Sequence, residues 1–336
     1  MTTFTPDQLH TLLERFTGKR VAVIGDLMVD RYYWGTVRRV SPEAPVPVVE
    51  VESEQVRLGG AANVAHNIRS LGGEPVLIGL VGNDHPGEVL LDLVREQGFP
   101  DHGIVQDPSR PTTIKTRVIA QSQHVVRIDN ESKQLCPPAM RARMLDVIRG
   151  ELPSLAGIII EDYNKGVVTR ELIEGVIALA RAHHVIITVD PKFDNFLEFK
   201  HVTVFKPNRR EAEEVLGGRL RTDADVERVG KRLLELLQAE NILLTRGEKG
   251  MSLFEANGGV SHIETVADNV QDVSGAGDTV IATLTMAMAG GASVREACTL
   301  ANCASGVVVG AVGIVPIRLE ELRAAALRHA GKGEQR

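Results

Sequence analysis

The fold is decided by the stretch VAVIGDLMVDRY at residues 21–32, in which an apolar run leads into two acidic residues. Similar runs recur as VLIGLV (76–81), GIII (157–160), VIITV (185–189), VTVF (202–205) and ILLT (242–245). Such runs are typical of strands buried on both faces of a sheet. Helical patterns lie between them, at 61–71, 86–97, 138–150, 169–182, 208–216 and 224–238. The alternation predicts an α/β fold with a doubly wound, mostly parallel sheet flanked by helices.

Two segments break this alternation, at about 31–56 and 112–130. Both have the pattern of antiparallel strands, and we expect them to form a small β-sheet lid over the ends of the main strands. The lid would expose Val46, Val48 and Val51 among others, so we expect a homodimer that buries this sheet. One domain is expected over residues 1–330, followed by a frayed tail at 331–336.

Composition excludes several classes of protein. With 43% hydrophobic and 24% charged residues, the 336-residue chain fits neither a disordered nor a fibrous protein. A net charge of -6 lacks the basic excess of a nucleic-acid-binding protein. The apolar runs are shorter than the ~20 residues of a membrane helix. Three cysteines provide no disulfide framework and no signal peptide opens the chain, so we expect a cytoplasmic protein with small-molecule partners.

The sharpest chemical signal is DVSGAGDT (272–279), which precedes the apolar run VIATLTMAMA (280–289). The run predicts a helix that begins just after the glycines. Gly275 and Gly277 allow a tight turn with converging amides, and the positive end of the helix dipole makes this turn a site for anions. Asp278 falls in the first helical turn, where it is either a functional carboxylate or a helix cap.

Two other motifs place polar groups where open α/β sheets bind ligands. In RLGGAANVAHNI (57–68), two glycines permit close approach of a ligand, and Asn63 can donate and accept hydrogen bonds. Asp26 and Asp30 follow the first strand, where carboxylates can accept hydrogen bonds from sugar hydroxyls. A plain strand-to-helix turn and solvated loop acids are the alternatives.

Polar groups also follow two later strands, in KPNRREAE (206–213) and LLTRGEKG (243–250). Asn208 and Glu211 lie three residues apart on one face of a helical turn. Glu211 could hold a water molecule of a hydrated Mg²⁺ ion. The same spacing predicts a capping box, and the two interpretations are compatible.

Together, GGAANVA (59–65), KPNxxE (206–211), TRG (245–247) and DVSGAGDT (272–279) resemble the PfkB, or ribokinase-like, carbohydrate kinases over essentially the whole chain. Within that family, RVSPEAPVPVV (39–49), EDYNKG (161–166) and DPK (190–192) are similar to heptose-7-phosphate kinases of the ADP-heptose pathway. The resemblance implies ATP-dependent phosphorylation of the anomeric hydroxyl of D-glycero-D-manno-heptose 7-phosphate, in the synthesis of lipopolysaccharide core precursors. The HxGH motif of the nucleotidyltransferase half of bifunctional relatives is missing, so we expect the kinase activity alone.

The resemblance also implies roles for individual residues. Asp278 would be the base, and the amides of Gly275, Ala276 and Gly277 would hold the transferring phosphoryl group. The implied sugar-binding residues are Asp26, Asp30, Gly59, Gly60, Asn63, Arg127 and Lys165. The implied residues for ATP and Mg²⁺ are Lys206, Asn208, Glu211, Thr245, Arg246, Gly247 and Asn302, with Asn208 and Glu211 nearest the metal and Glu211 reaching it through water. Candidate partners of the sugar's own phosphate are Arg117, Arg127 and Lys192. A monovalent cation is a candidate additional cofactor.

Three alternatives differ in substrate or class. The first is another kinase of this family, for a nucleoside, a ketohexose phosphate or an unphosphorylated sugar. The second is a sugar-phosphate-binding protein without turnover, which the intact Asp278 and its glycines disfavour. The third is a dinucleotide oxidoreductase, which is disfavoured because GDLMVD (25–30) stands where GxGxxG would follow the first strand.

Overall fold

The computed structural model describes residues 4–121, 123–267 and 269–333. The helices are α1 (Pro6–Glu14), α2 (Ala61–Ser70), α3 (His85–Glu96), α4 (Pro138–Glu151), α5 (Arg170–Ala182), α6 (Arg209–Leu216), α7 (Asp223–Leu237), α8 (Ala276–Ala289), α9 (Val294–Val308) and α10 (Leu319–Gly333). The strands are β1 (Arg20–Val40), β2 (Pro47–Gly60), β3 (Glu74–Gly82), β4 (Ile104–Asp107), β5 (Thr113–Ala120), β6 (Gln123–Asn130), β7 (Leu155–Glu161), β8 (Ile186–Asp190), β9 (Val204–Phe205), β10 (Asn241–Thr245), β11 (Met251–Glu255) and β12 (Val260–Ile263). The predicted α/β alternation is confirmed.

The main sheet has the strand order β4-β3-β1-β7-β8-β9-β10-β11-β12. Its pairs are parallel from β4 to β10, whereas β10, β11 and β12 form an antiparallel edge. The antiparallel edge and β4 were not predicted. Because the parallel strands share one carboxyl edge, the polar residues at that edge in β1 and at the ends of β7 and β8 come together there.

Helices cover both faces of the main sheet. In β1, Val21 and Val23 belong to one apolar cluster, whereas Ala22 and Ile24 belong to a second cluster on the opposite face. Successive side chains of a strand point to opposite faces, so continuous apolar sequence is what a sheet covered on both sides requires. Helix α8 packs within the first cluster, and its residues 278–287 are all buried. The core therefore fixes the orientation of the helix that begins just after Gly275.

The lid is an extension of the main sheet's own strand. Residues 20–26 of β1 pair with β3 and β7, and from Leu27 onward the same strand pairs with β2 and β5. The expected lid strands at 31–56 therefore continue from the first strand of the main sheet without a break. The β1–β2 and β5–β6 pairs are antiparallel as expected, but β1 and β5 are parallel.

The structure also shows where the expected tail, the lid valines and the cysteines lie. Helix α10 continues to Gly333, three residues into the tail predicted at 331–336; residues 334–336 lie outside the described ranges, and the tail stays a prediction. On the lid, Val46 and Val51 are exposed as expected, and Val48 is half-buried. Cys136, Cys298 and Cys303 are free and buried.

Candidate active site

The candidate site is built on the turn that opens α8. Gly275 has a φ of 77°, in the left-handed region, and a Cβ added to it would lie 3.1 Å from Nδ2 of Asn63. Glycine is required there by both conformation and space. The Ala276 amide donates to the Val273 carbonyl oxygen at 3.2 Å and closes the turn. Asp278 follows in the first helical turn and is only 2% exposed.

Both oxygens of Asp278 accept hydrogen bonds from other elements. Asn63 Nδ2, on α2, donates to Oδ2 at 2.7 Å, and the Tyr163 hydroxyl, after β7, donates to Oδ1 at 2.7 Å. Burial raises the pKa of Asp278 to about 6, although the two donors favour the ionised form. Asp278 is thus oriented and has a pKa suited to accepting a proton near neutral pH.

Two carboxylates that the sequence analysis missed lie beside Asp278. Glu161 ends β7 and Asp190 ends β8, and one oxygen from each lies within 4.8 Å of one Asp278 oxygen. The Lys206 ammonium pairs with Asp190 at 2.7 Å. Burial and the charges of Asp190 and Asp278 raise the pKa of Glu161 well above its usual value, and its buried Oε2 has no hydrogen-bond partner. The unpartnered Oε2 of Glu161 belongs to a carboxyl group surrounded by the charged side chains of Asp190, Asp278 and Lys206.

The predicted capping box on α6 is present. The Asn208 side chain accepts from the Glu211 amide at 2.9 Å, and Glu211 Oε2 accepts from the Asn208 amide at 2.8 Å. Glu211 also pairs with Lys192, which was predicted to hold the sugar's phosphate. Lys192 is therefore placed beside Glu211 rather than among the cations of the lid.

The remaining residues predicted to bind ATP have different surroundings in the structure. Thr245 forms a β-bridge with Asn208, and Gly247 opens the turn that follows β10. The Arg246 guanidinium is engaged by Ser252 and Asp223. The Asn302 side chain donates to the Glu264 carbonyl oxygen at 2.8 Å. For Arg246 and Asn302 these contacts are structural, and a direct contact with ATP stays a prediction.

Asp26, predicted to bind the sugar, is 1% exposed and anchors the loop after β7. Its carboxylate accepts from the backbone amides of Tyr163 at 2.7 Å, Lys165 at 3.1 Å and Val167 at 3.2 Å. Three amide donors explain how an acid is tolerated at this depth. Asp26 thereby positions Tyr163 and Lys165, and its contact with a sugar stays a prediction.

Asp30 lies four residues further along β1 and pairs with Arg117 of β5. An added Cβ at Gly59 would collide with the Asp30 carboxylate, so glycine lets β2 approach at this point. Gly60 immediately precedes α2. The Lys165 ammonium pairs with Glu131 at 2.7 Å, at the border of the lid.

A cavity of about 290 Å³ connects the lid with Asp278. Its lining residues are Met28, Asp30, Gly60, Lys115, Arg117, Arg127, Tyr163, Ser274, Gly275, Asp278 and Ile314. Three of these residues are cations of the lid strands: Lys115, Arg117 and Arg127. Arg117 and Arg127 lie opposite each other in the β5–β6 register. Lys115 was not among the predicted site residues. The cavity therefore combines a carboxylate from α8 with positive charge from the lid.

Comparison with known proteins identifies the family. A model described as pfkB family carbohydrate kinase matches residues 19–319. The chain belongs to the pfkB family of carbohydrate kinases. Among the described residues of this kinase, no helix has the length and apolar character needed to cross a membrane.

Curated relatives of this pfkB-family kinase carry the name bifunctional protein HldE. The one from Geobacter sulfurreducens is 44% identical over 93% of this chain and 64% of its own length. The one from Helicobacter pylori strain J99 is 42% identical over 90% of this chain and 65% of its own length. The chain thus spans less than two thirds of the length of these relatives.

Solved structures support the predicted ribokinase-like fold of this pfkB-family kinase. Phosphofructokinase-2 from Escherichia coli superimposes with a TM-score of 0.75 at 16% identity, over 94% of this chain and 99% of that one. Ribokinase from Arabidopsis thaliana gives 0.71 at 17% identity, over 94% of this chain and 99% of that one. At such identities, the likeness establishes the fold alone.

Proposed function

We propose that this pfkB-family kinase transfers a phosphoryl group from ATP to the anomeric hydroxyl of D-glycero-D-manno-heptose 7-phosphate, giving the 1,7-bisphosphate used for ADP-heptose. The observation that carries the proposal is the cavity that joins Asp278 to three cations of the lid. A carboxylate suits a hydroxyl that must lose a proton, and lid cations suit a substrate that already carries a phosphate. Relatives named HldE, at 42–44% identity, support the same substrate.

In this proposal, Asp278 removes the proton of the sugar hydroxyl. Each of its oxygens accepts one hydrogen bond and keeps a further lone pair for the substrate. The turn at Gly275–Gly277 and the positive end of α8 hold the phosphoryl group as charge develops on its oxygens. Closely held donors and a positioned base are the main requirements of phosphoryl transfer.

The sugar's phosphate would meet the lid cations. Arg117 uses part of its guanidinium on Asp30, and a guanidinium has five N–H donors, so others remain for a phosphate. Arg127 pairs with Asp129 at 2.9 Å and is otherwise exposed. The Lys115 ammonium pairs with Asp129 at 3.0 Å and with Glu131 at 3.3 Å. The sugar itself would be surrounded by Asp30, Gly59, Gly60, Asn63 and Lys165, with Asp26 beneath them.

ATP and Mg²⁺ would lie on the side of α6. Glu161 and Asp190, which lie beside Asp278 and include one unpartnered buried oxygen, fit a hard divalent cation that prefers oxygen ligands. Glu211 would act through water, since both of its oxygens already have partners. When bound, Mg²⁺ offsets the negative charge of the nucleotide phosphates. Lys206, Asn208 and Thr245 would line the same side.

We also propose a homodimer through the outer face of the lid. Val126 and Ile128 alternate with Arg127 along β6, so they face away from the cavity, and both are exposed. Val40 and Val51 are exposed on β1 and β2. Replacing Val126 with Glu should convert a dimer into a monomer in analytical ultracentrifugation, and a parent enzyme that sediments as a monomer would refute this part. Free buried cysteines suit the reducing cytoplasm, where we place the enzyme.

The substrate is tested by measuring ADP release with heptose 7-phosphate, free heptose, fructose 6-phosphate, ribose and a nucleoside. Heptose 7-phosphate should have the highest kcat/KM, and phosphorus NMR should detect an anomeric phosphate. Arg127→Ala and Lys115→Ala should each lower kcat/KM for heptose 7-phosphate about 10- to 150-fold and affect free heptose little. Arg38→Ala, at an exposed lid cation outside the cavity lining, is the control. A preference for an unphosphorylated substrate would refute the proposed substrate but not the kinase activity.

A further inference from the structure

Tyr32 lies on β1, two residues beyond Asp30 and on the same face of the strand, and it is fully buried. No role was predicted for it. In the register of the lid, Tyr32 lies opposite Gln55 of β2 on one side and Arg117 of β5 on the other. Tyr32 is therefore on the central strand of the lid, directly beside a cation that lines the cavity.

The Tyr32 ring contacts two guanidinium groups. The guanidinium carbons of Arg57 and Arg117 each lie 5.3 Å from the centre of the ring. Cation–π contacts are stronger when the groups are removed from water, and Arg117 is only 8% exposed. The Arg117 guanidinium is thus held by the Tyr32 ring as well as by its ion pair with Asp30.

The Tyr32 hydroxyl contacts a second wall of the cavity. It accepts a hydrogen bond from the Ile314 amide at 3.3 Å, and the Arg57 guanidinium donates to the Ile314 carbonyl oxygen. Ile314 lines the cavity beside Gly275, where an added Cβ would lie 3.2 Å from the Ile314 side chain. One buried side chain therefore contacts both a lid cation and the segment that packs against the turn before α8.

We propose that Tyr32 is a positioning residue that sets substrate specificity, because its ring holds the Arg117 guanidinium where the phosphate of the sugar substrate would bind. The inference rests on the proposed function, which assigns the lid cations to that phosphate. A guanidinium has five N–H donors, so the pair with Asp30 leaves others for a phosphate. The planar guanidinium recognises a phosphate through paired hydrogen bonds, which depend on its orientation. Since the ring restrains Arg117 before the substrate arrives, less conformational freedom is lost on binding.

The test compares Tyr32→Leu, which removes the ring, with Tyr32→Phe, which keeps the ring and removes only the hydroxyl. The quantity measured is the ratio of kcat/KM for heptose 7-phosphate to kcat/KM for free heptose, from ADP release. Tyr32→Leu should lower this ratio about 2- to 30-fold, the range expected for a cation–π contact, mainly through a higher KM for heptose 7-phosphate. Tyr32→Phe should keep the ratio of the parent enzyme, since its ring still holds Arg117. A lowered ratio in Tyr32→Phe would refute the proposal by itself, even if Tyr32→Leu did not fold.

A double-mutant cycle with Arg117→Gln, which keeps a donor for Asp30, separates this role from general packing. If Tyr32 acts through Arg117, Tyr32→Leu should not lower the ratio further in the Arg117→Gln enzyme. Tyr33→Leu makes the same change on the opposite face of β1 and should keep the ratio. Thermal unfolding checks that each variant is folded.

Two results would show that the proposal for Tyr32 is wrong. One is a Tyr32→Leu enzyme that loses kcat/KM equally for both sugars, and the other is an equal fall of the ratio with and without Arg117. A parent enzyme that does not prefer heptose 7-phosphate would instead refute the proposed substrate, and this role of Tyr32 with it. Because that result is read from the parent enzyme alone, the two failures are distinguishable.

Discussion

Replacing Asp278 with Asn should inactivate the enzyme and also stabilise it at neutral pH. The substitution keeps the shape of the side chain. Asn63 can still donate to the amide oxygen, and the Tyr163 hydroxyl can accept from the amide nitrogen, because a hydroxyl both donates and accepts. The variant should therefore fold with the same contacts and lack only the charge.

The gain in stability follows from the pKa of the buried carboxyl. Burial raises the pKa of Asp278 to about 6 from 3.8 in an unstructured chain. A difference of about two units corresponds to about 3 kcal/mol. Because the pKa is raised by folding, this stabilisation is present below about pH 4 and is lost as the pH rises through about 6. Asn does not titrate, so the stability of the variant relative to the parent should increase by about 3 kcal/mol between those limits.

Turnover should fall at least about 100-fold, because assistance by a general base contributes roughly 10²- to 10⁴-fold. Dissociation constants for ATP and heptose 7-phosphate, measured by calorimetry, should change little. Unfolding in urea at about pH 4 and pH 7.5 measures the change in stability, with the parent enzyme alongside.

Asp225→Asn is the matched control, since Asp225 also lies in the first turn of a helix but is only half-buried, in a capping box on α7. Hydrogen bonds from Thr222 lower the pKa of Asp225 to about 2, so the ionised carboxylate stabilises the fold at neutral pH. Asp225→Asn should therefore lower stability at neutral pH, whereas Asp278→Asn should raise it. Turnover of Asp225→Asn should be unchanged. An Asp278→Asn enzyme with near-normal turnover would refute the assignment of the base. A stability difference that does not grow with pH would refute the reasoning about burial.

Two further predictions concern the metal and the turn before α8. Glu211→Gln should keep the capping box but raise the Mg²⁺ concentration at half-maximal rate several-fold. Glu296→Gln, in the equivalent capping box of α9, should leave this Mg²⁺ concentration unchanged. If the Mg²⁺ titrations of Glu211→Gln and the parent enzyme overlap, Glu211 serves only as a helix cap. Gly275→Ala should lower both activity and unfolding temperature. The control is Gly217→Ala, at a similar φ of 71° with no atom within 4 Å of the added Cβ. It should lower the free energy of unfolding by about 1–2 kcal/mol through backbone strain alone. If Gly275→Ala and Gly217→Ala lose activity equally, the turn before α8 has no special role.

The sequence predicted the alternation of strands and helices because each element has a local signal. Apolar runs mark the buried strands, and the six predicted helices begin and end within one residue of those observed. The Asn208–Glu211 spacing likewise predicted a capping box that is present. These features depend on neighbours within a few residues, which is the range over which a sequence pattern is informative.

The features that were missed depend on distant partners. Asp26 and Asp30 suggested a loop after the first strand, yet both lie inside β1 and are buried, since one accepts amides from residues 163–167 and the other pairs with Arg117. The parallel pairing of β1 with β5 could not be predicted either, because it joins residues that are far apart in the sequence. Glu161 and Asp190 could have been found, because each directly ends an apolar strand.

The continuous strand β1 explains how the lid and Asp278, the proposed base, belong to one site. Asp26, Met28 and Asp30 lie on one face of the strand, since alternate residues share a face. Met28 and Asp30 line the cavity, and Asp30 holds Arg117 of the lid. Asp26 holds the backbone of Tyr163, whose hydroxyl reaches Asp278. Since a single strand sets the positions of both groups, the backbone of β1 fixes the distance from the lid cations to Asp278. In the proposed function, this fixed distance would select a substrate by the separation of its phosphate and its reacting hydroxyl.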